Sequence, residues 1–133
     1  FRLLADNPVT SVHLFEAAID LLSYATYLKR EGKDYKSENL LSLSGVYQPK
    51  KESKDSKIPI ALSVFLEKNP LIKTIHLHLD NDKTGRLCAN TLKELLRNKY
   101  EVFDEPPKKG KDYNDYLCIQ LGIYKSKERS YER

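Results

Sequence analysis

The chain has 133 residues, 40% of them hydrophobic, and a net charge of +4 at pH 7. This length suits one domain with its own core, and this composition excludes a disordered chain. Its longest apolar runs are far below the ~20 residues of a membrane span. The first residues, "FRLLADNPVT", lack the features of a secretory signal, so we expect a cytoplasmic protein. The chain begins with Phe1 and has no methionine, and we therefore expect a fragment of a larger protein.

Neither the cysteines nor the lysines indicate a specific function. Cys88 and Cys118 have no metal-ligand spacing, so we expect two reduced structural thiols. Lysines crowd the segments 48–57 and 106–112. Such runs are typical of solvated loops, and they also form the electrostatic footprint that binds a polyanion.

Short segments rich in β-forming residues alternate along the chain with segments of helical periodicity. The predicted strands, in order, are 11–16, 39–45, 72–80 and 100–107. The predicted helices are 17–29, 57–69, 84–99 and 112–125. We therefore predict one domain over residues 1–125, followed by a charged tail, 126–133, that is expected to fray.

This alternation predicts an α/β fold of the Rossmann-like kind, with a four-stranded parallel sheet and helices on both faces. Right-handed crossovers favour the strand order 2-1-3-4 for a chain of this length. The winding of such a sheet reverses between strands 1 and 3. Ligands bind in the crevice that this reversal opens at the carboxyl ends of the strands.

Carboxylates follow the predicted strands at this edge. Two of them 4 Å apart repel by about 4 kcal/mol at an effective dielectric constant of 20, so the cluster requires a counter-charge. A divalent cation with oxygen ligands, magnesium above all, would supply it. Taken singly, each acid could instead cap a helix or complement its dipole. The six acids are Glu16, Asp20, Asp80, Asp82, Asp112 and Asp115.

Three motifs resemble those of Toprim domains. Glu16 with Asp20 four residues later resembles the glutamate motif, and "LDNDKTG" (79–85) resembles the Asp-x-Asp motif with its glycine. "GKDYNDYL" (110–117) is similar to the third acidic motif of Toprim-like domains in primase-related proteins from plasmids and other mobile elements. The resemblance spans residues 11–117. One departure is Ala17, where many Toprim domains have glycine.

Toprim domains occur in bacterial primases, topoisomerases and nucleases. The resemblance implies magnesium-dependent formation or cleavage of phosphodiester bonds, with manganese as a possible substitute. Asp80 and Asp82 would bind the metal, and Glu16 would be a general acid/base or a further ligand. Asp20, Asp112 and Asp115 would complete a second metal position or orient the other ligands. The implied partners are nucleic acid, with DNA favoured over RNA, and other domains of a DNA replication or mobile-element protein; no membrane is implied.

Basic and aromatic residues flank the acids. The alternating pattern of strand 3 places His76 and His78 on one side, where packed histidines are favoured over a metal pair. Tyr113 is a candidate for base stacking at the rim. Four basic residues are predicted either to hold a nucleic-acid backbone or to balance the charge of the acids: Lys83, Arg86, Lys109 and Lys111.

Two other functions are compatible with the same pattern. A non-catalytic Toprim module would use the fold to dock metal, nucleic acid or protein. A phosphate-handling domain of the receiver or phosphatase kind also gathers acids at strand ends. The second is disfavoured because Asp80 and Asp82 follow strand 3 rather than strand 1.

Overall fold

The computed structural model describes residues 1–43 and 57–123. Its strands are β1 (Arg2–Leu3), β2 (Ser11–Phe15), β3 (Leu40–Ser42), β4 (Thr74–Leu77) and β5 (Glu101–Asp104). Its α-helices are α1 (Ala18–Arg30), α2 (Ile60–Lys68), α3 (Lys83–Leu96) and α4 (Tyr113–Gln120), with a 3₁₀ helix at Tyr35–Ser37. The tail, most of the lysine-rich segment 48–57 and the ends of two predicted elements lie outside the described residues.

The strands form a sheet of order β1-β3-β2-β4-β5. β3, β2, β4 and β5 are parallel to one another, which confirms the predicted α/β fold and, for those four strands, the order 2-1-3-4. β1, which was not predicted, pairs antiparallel with β3 at the edge. A strand of two residues is too short to show a periodic pattern, and its place depends on β3: the backbone N–H of Ser42 donates to the Phe1 carbonyl.

The residues at which α2, α3 and α4 begin are explained by a proline and by two capping aspartates. α2 begins at Ile60 rather than at residue 57, because Pro59 lacks an N–H and restricts the residue before it. α3 and α4 begin after the aspartates Asp82 and Asp112, whose side chains accept hydrogen bonds from the first turn of each helix.

Alternate residues of β2 enter two different cores, one on each face of the sheet. Val12 and Leu14 lie on the face covered by α2 and α3, where Phe65 and Leu92 are also buried. Phe15 lies on the opposite face. There it packs with residues of α1 and α4: Leu21, Ala25, Tyr113 and Tyr116.

The first turn of α3 lies against the end of the segment that follows β4. A Cβ atom added at Gly85 would lie 2.1 Å from the backbone oxygen of Asp80, far inside contact distance. Only glycine permits this approach, which brings the N-terminus of α3 next to Asp80.

Gly85→Ala should therefore lower the free energy of unfolding by about 1–3 kcal/mol, the range for forced overpacking. Urea denaturation in chelator would measure it. Thr84→Ala, at the exposed neighbouring position, is the control and should change stability by less than about 0.5 kcal/mol. Stabilisation by Gly85→Ala, which helix propensity alone would give, would show that α3 does not approach Asp80 this closely.

Candidate metal centre

Three carboxylates converge where β2 and β4 end. Asp20, Asp80 and Asp112 each present an oxygen atom within 4.8 Å of the others. Asp20 lies in the first turn of α1, Asp80 follows β4, and Asp112 caps α4. These are three of the six acids predicted from the sequence, and they come from three separate segments.

Glu16 and Asp80 lie side by side at this edge, and their carboxyl groups form a hydrogen bond. Burial, this hydrogen bond and repulsion from Asp80, Asp82 and Asp20 together raise the pKa of Glu16 from 4.5 to about 8. A hydrogen bond between two carboxyl groups needs one proton. The shift assigns it to Glu16, whose O–H donates to the Asp80 carboxylate.

The pKa values of Asp20 and Asp80 are raised as well. Burial and then the charge of Asp112 raise the pKa of Asp20 to about 6, although a backbone hydrogen bond from Asn114 to Asp20 opposes the shift. Burial is also the main cause that raises the pKa of Asp80. Asp20 is only 4% exposed, so water compensates little of this repulsion.

The remaining predicted acids shape the loops around the cluster. Asp82 Oδ1 accepts a hydrogen bond from Gly85 N at 2.7 Å, and its other oxygen lies 3.7 Å from Lys111 Nζ. Asp115 is buried and accepts from the backbone N–H of Lys111 at 3.1 Å. Asp112 accepts from Asp115 N at 2.8 Å and still belongs to the cluster. The Asp112 side chain therefore both caps α4 and contributes to the carboxylate cluster.

The donor chemistry of the cluster fits a hard divalent cation. All three converging groups are carboxylates, the ligands that magnesium and manganese bind in proteins. The raised pKa values of Asp20 and Asp80 show that these two groups gain from a positive charge among them, because a cation removes the repulsion that favours protonation.

The four predicted basic residues lie in different surroundings. Arg86 makes two hydrogen bonds to the Asp104 carboxylate, at 2.7 and 2.8 Å, and its other nitrogens donate to backbone carbonyls of residues 79 and 80. It therefore ties α3 to β5. Lys111 lies near Asp82, whereas Lys83 and Lys109 are exposed.

Sequence reasoning missed Asp104, which orients Arg86. Its position in the sequence could have indicated it, because Asp104 ends the strand beside β4, at the same edge as the other acids. Tyr113, predicted at the rim, is instead buried, and its hydroxyl donates to the backbone oxygen of Glu105. His78 is buried as well, and His76 lies 2.9 Å from the Glu105 carboxylate.

Fold and site together define a class: a Rossmann-like α/β domain with a carboxylate cluster at its topological switch point. A family model described as Toprim-like matches residues 13–117, most of the chain. The chain belongs to the Toprim-like family. Toprim domains typically bind a divalent metal and process nucleic acids, and the cluster of three aspartates could hold such an ion.

A solved structure of a protein from Aquifex aeolicus is similar, with 19% identity and a TM-score of 0.45, over 90% of this chain and 84% of that one. No curated protein matches the chain significantly. Within residues 1–43 and 57–123, no helix has the length and apolar character to cross a membrane.

The raised pKa values predict how stability depends on pH in chelator. Between pH 4.5 and 8 the folded protein retains a proton on Glu16 that the unfolded chain has released, and Asp20 acts likewise up to about pH 6. The free energy of unfolding should therefore fall as pH rises through this range. Urea denaturation at several pH values would measure it.

Glu16→Gln removes one of these groups and should flatten the profile most between pH 6 and 8. The matched control is Glu67→Gln, at an exposed position on α2, which should keep the wild-type profile. Wild-type stability that is constant or rises over this range would contradict the crowding of acids described above.

Proposed function

We propose that this chain is a magnesium-dependent, nucleic-acid-processing Toprim domain that forms or cleaves phosphodiester bonds, in a primase-like or nuclease-like manner. It would act within a larger replication or mobile-element protein, with DNA favoured over RNA as substrate. The observation that carries this proposal is the convergence of Asp20, Asp80 and Asp112 beside a protonated Glu16.

The proposed metal ligands begin with the converging aspartates. Magnesium, when bound, would polarise a phosphate oxygen and neutralise charge that develops in the transition state. Asp82 and Asp115 are proposed as further ligands or as residues that orient the ligands. Each now holds a backbone N–H, so direct coordination would use its second oxygen or require that hydrogen bond to be exchanged.

Glu16 is the proposed general acid/base. Its pKa of about 8 in the absence of a metal means that the carboxyl group then carries a proton at neutral pH. A protonated acid at the metal site can transfer that proton to the 3′-oxygen of a leaving group. Loss of the proton would instead make Glu16 available as a further metal ligand.

Exposed lysines are the proposed contacts to the nucleic-acid backbone. Lys83 and Lys109 are exposed, and Lys111 could bind a phosphate after its ion pair with Asp82 breaks. Arg86 is held by Asp104, so we propose that its guanidinium contributes positive charge to the site while it positions α3.

A magnesium titration followed by NMR amide shifts tests the site. Shifts should centre on residues 16–20, 80–86 and 110–115, and Asp80→Asn should lower the affinity for magnesium at least tenfold without unfolding the domain. Asp6→Asn, at an exposed position outside the cluster, is the matched control and should bind as wild type does. Manganese should produce line broadening around the same residues.

Unchanged metal affinity in a folded Asp80→Asn variant would mean that the cluster is not the metal site. The absence of localised shifts at millimolar metal would favour the non-catalytic docking module over an enzyme.

Activity can then be tested on end-labelled single strands of DNA and RNA, with and without nucleoside triphosphates. Shortened products would assign cleavage and extended products would assign synthesis. Glu16→Gln should lower either rate by about 10²–10⁴-fold, the usual contribution of a general acid. A rate that is equal in Glu16→Gln and wild type would exclude that role for Glu16.

A further inference from the structure

A second concave site lies on the sheet face that α1 and α4 cover. It is a cavity of about 540 Å³, within the range of small-ligand sites. Four aromatic side chains line it, and we call it the tyrosine pocket: Tyr24, Tyr27, Tyr113 and Tyr116. Buried His78 also lines the cavity.

The tyrosines present rings at steep angles to one another. Tyr24 and Tyr113 have ring centroids 5.3 Å apart and an interplanar angle of 87°, and Tyr27 and Tyr116 are 5.3 Å apart at 64°. Tyr113 and Tyr116 are buried, while Tyr24 and Tyr27 are half-buried. A flat ring that enters the pocket can therefore stack on one tyrosine and meet a second one edge-on.

The pocket adjoins the metal centre along two helices. Tyr24 lies four residues after Asp20 on α1, and Tyr116 lies four residues after Asp112, the cap of α4. Side chains with this spacing share a helix face. The four-residue step corresponds to about 6 Å along the helix axis, so these two tyrosines lie about one helical turn from the cluster.

Both basic and acidic side chains lie around the pocket. Lys33 and Lys108 line it, and neither side chain forms an ion pair within the described part of the chain. Of the two acids that line it, Asp104 forms an ion pair with Arg86, and Glu105 is hydrogen-bonded to His76 but still contributes a negative charge that adds to the effect of burial in raising the pKa of Tyr24. The phenol oxygen of Tyr24 makes no hydrogen bond to another described residue, and burial raises its pKa, so it remains a neutral polar group.

We propose that the tyrosine pocket binds one nucleotide unit, with its base against the tyrosines and a phosphate on Lys33 and Lys108. The inference rests on the proposed function and names the part of the substrate that sits beside the metal centre. Aromatic stacking with flanking cations is how proteins hold single-stranded nucleic acids without reading their sequence.

The test is fluorescence anisotropy of a labelled ten-residue oligothymidylate, titrated with the full chain in EDTA at several salt concentrations. Lys33→Ala/Lys108→Ala should reduce the slope of log affinity against log salt by about 0.7, because the two lysines are proposed to hold one phosphate and each phosphate contact to a single strand contributes about 0.7. Tyr27→Leu, which keeps apolar volume, should weaken binding by about 5- to 100-fold.

The matched control is Lys73→Ala/Lys93→Ala, which removes two exposed lysines that do not line the pocket. It should keep the wild-type slope. Equal effects of the two double variants, an unaffected Tyr27→Leu, or no binding by wild type would overturn the inference. Because EDTA removes any metal, these results are independent of the magnesium titration, so a cation site can stand while the pocket assignment fails.

Competition distinguishes the source of the nucleotide unit. Displacement of the oligothymidylate by millimolar thymidine monophosphate, lost in Lys33→Ala/Lys108→Ala, would assign a free nucleotide as one occupant. Binding of the oligomer that depends on the pocket residues but resists the monophosphate would assign a unit of a continuous strand. Either result supports the pocket as a nucleotide site.

Discussion

The parallel pairing of β2 with β4 is the constraint on which the rest of the site depends. Leu14 of β2 stands opposite Leu77 of β4, so the chain leaves both strands at the same edge of the sheet. Glu16 and Asp80 emerge there with their carboxyl groups in hydrogen-bond contact. Repulsion and burial then keep a proton on Glu16 at neutral pH. A cation among the aspartates would relieve the same repulsion, so protons and metal compete for one site.

The loops that complete the site are held by the acids themselves and by backbone contacts. The N–H of Asn81 donates to the carbonyl of Lys111, which ties the Asp80 loop to the segment before α4. Gly110 adopts φ +82°, and a Cβ there would lie 2.7 Å from the Cβ of Asp115. Asp115 can therefore approach and bind the Lys111 N–H. Structural and candidate functional roles overlap in this segment, so substitutions in it act on both.

A polar network lies on the sheet face beneath α1 and α4. His78 Nδ1 lies 3.1 Å from the Glu105 carbonyl, which can only accept, so this nitrogen carries the hydrogen. Nε2 of His78 then accepts from His13 Nδ1 at 2.7 Å, and His13 Nε2 meets the Glu38 carboxylate at 3.0 Å. Burial lowers the pKa of His78, which keeps its ring neutral. The network links buried and half-buried polar groups on this face of the sheet.

The sequence by itself determined the alternation of strands and helices, the parallel order of four strands and the acids that follow them. These features follow from local periodicity and from the geometry of crossover connections. It did not determine which acids meet. Asp20, Asp80 and Asp112 lie far apart in the chain, and the pairing of β2 with β4 and the packing of α1 against α4 bring them together. Nor did it reveal β1, the Arg86–Asp104 pair or the tyrosine pocket. Each depends on contacts between segments distant in sequence, and such contacts leave no periodic signal in either segment.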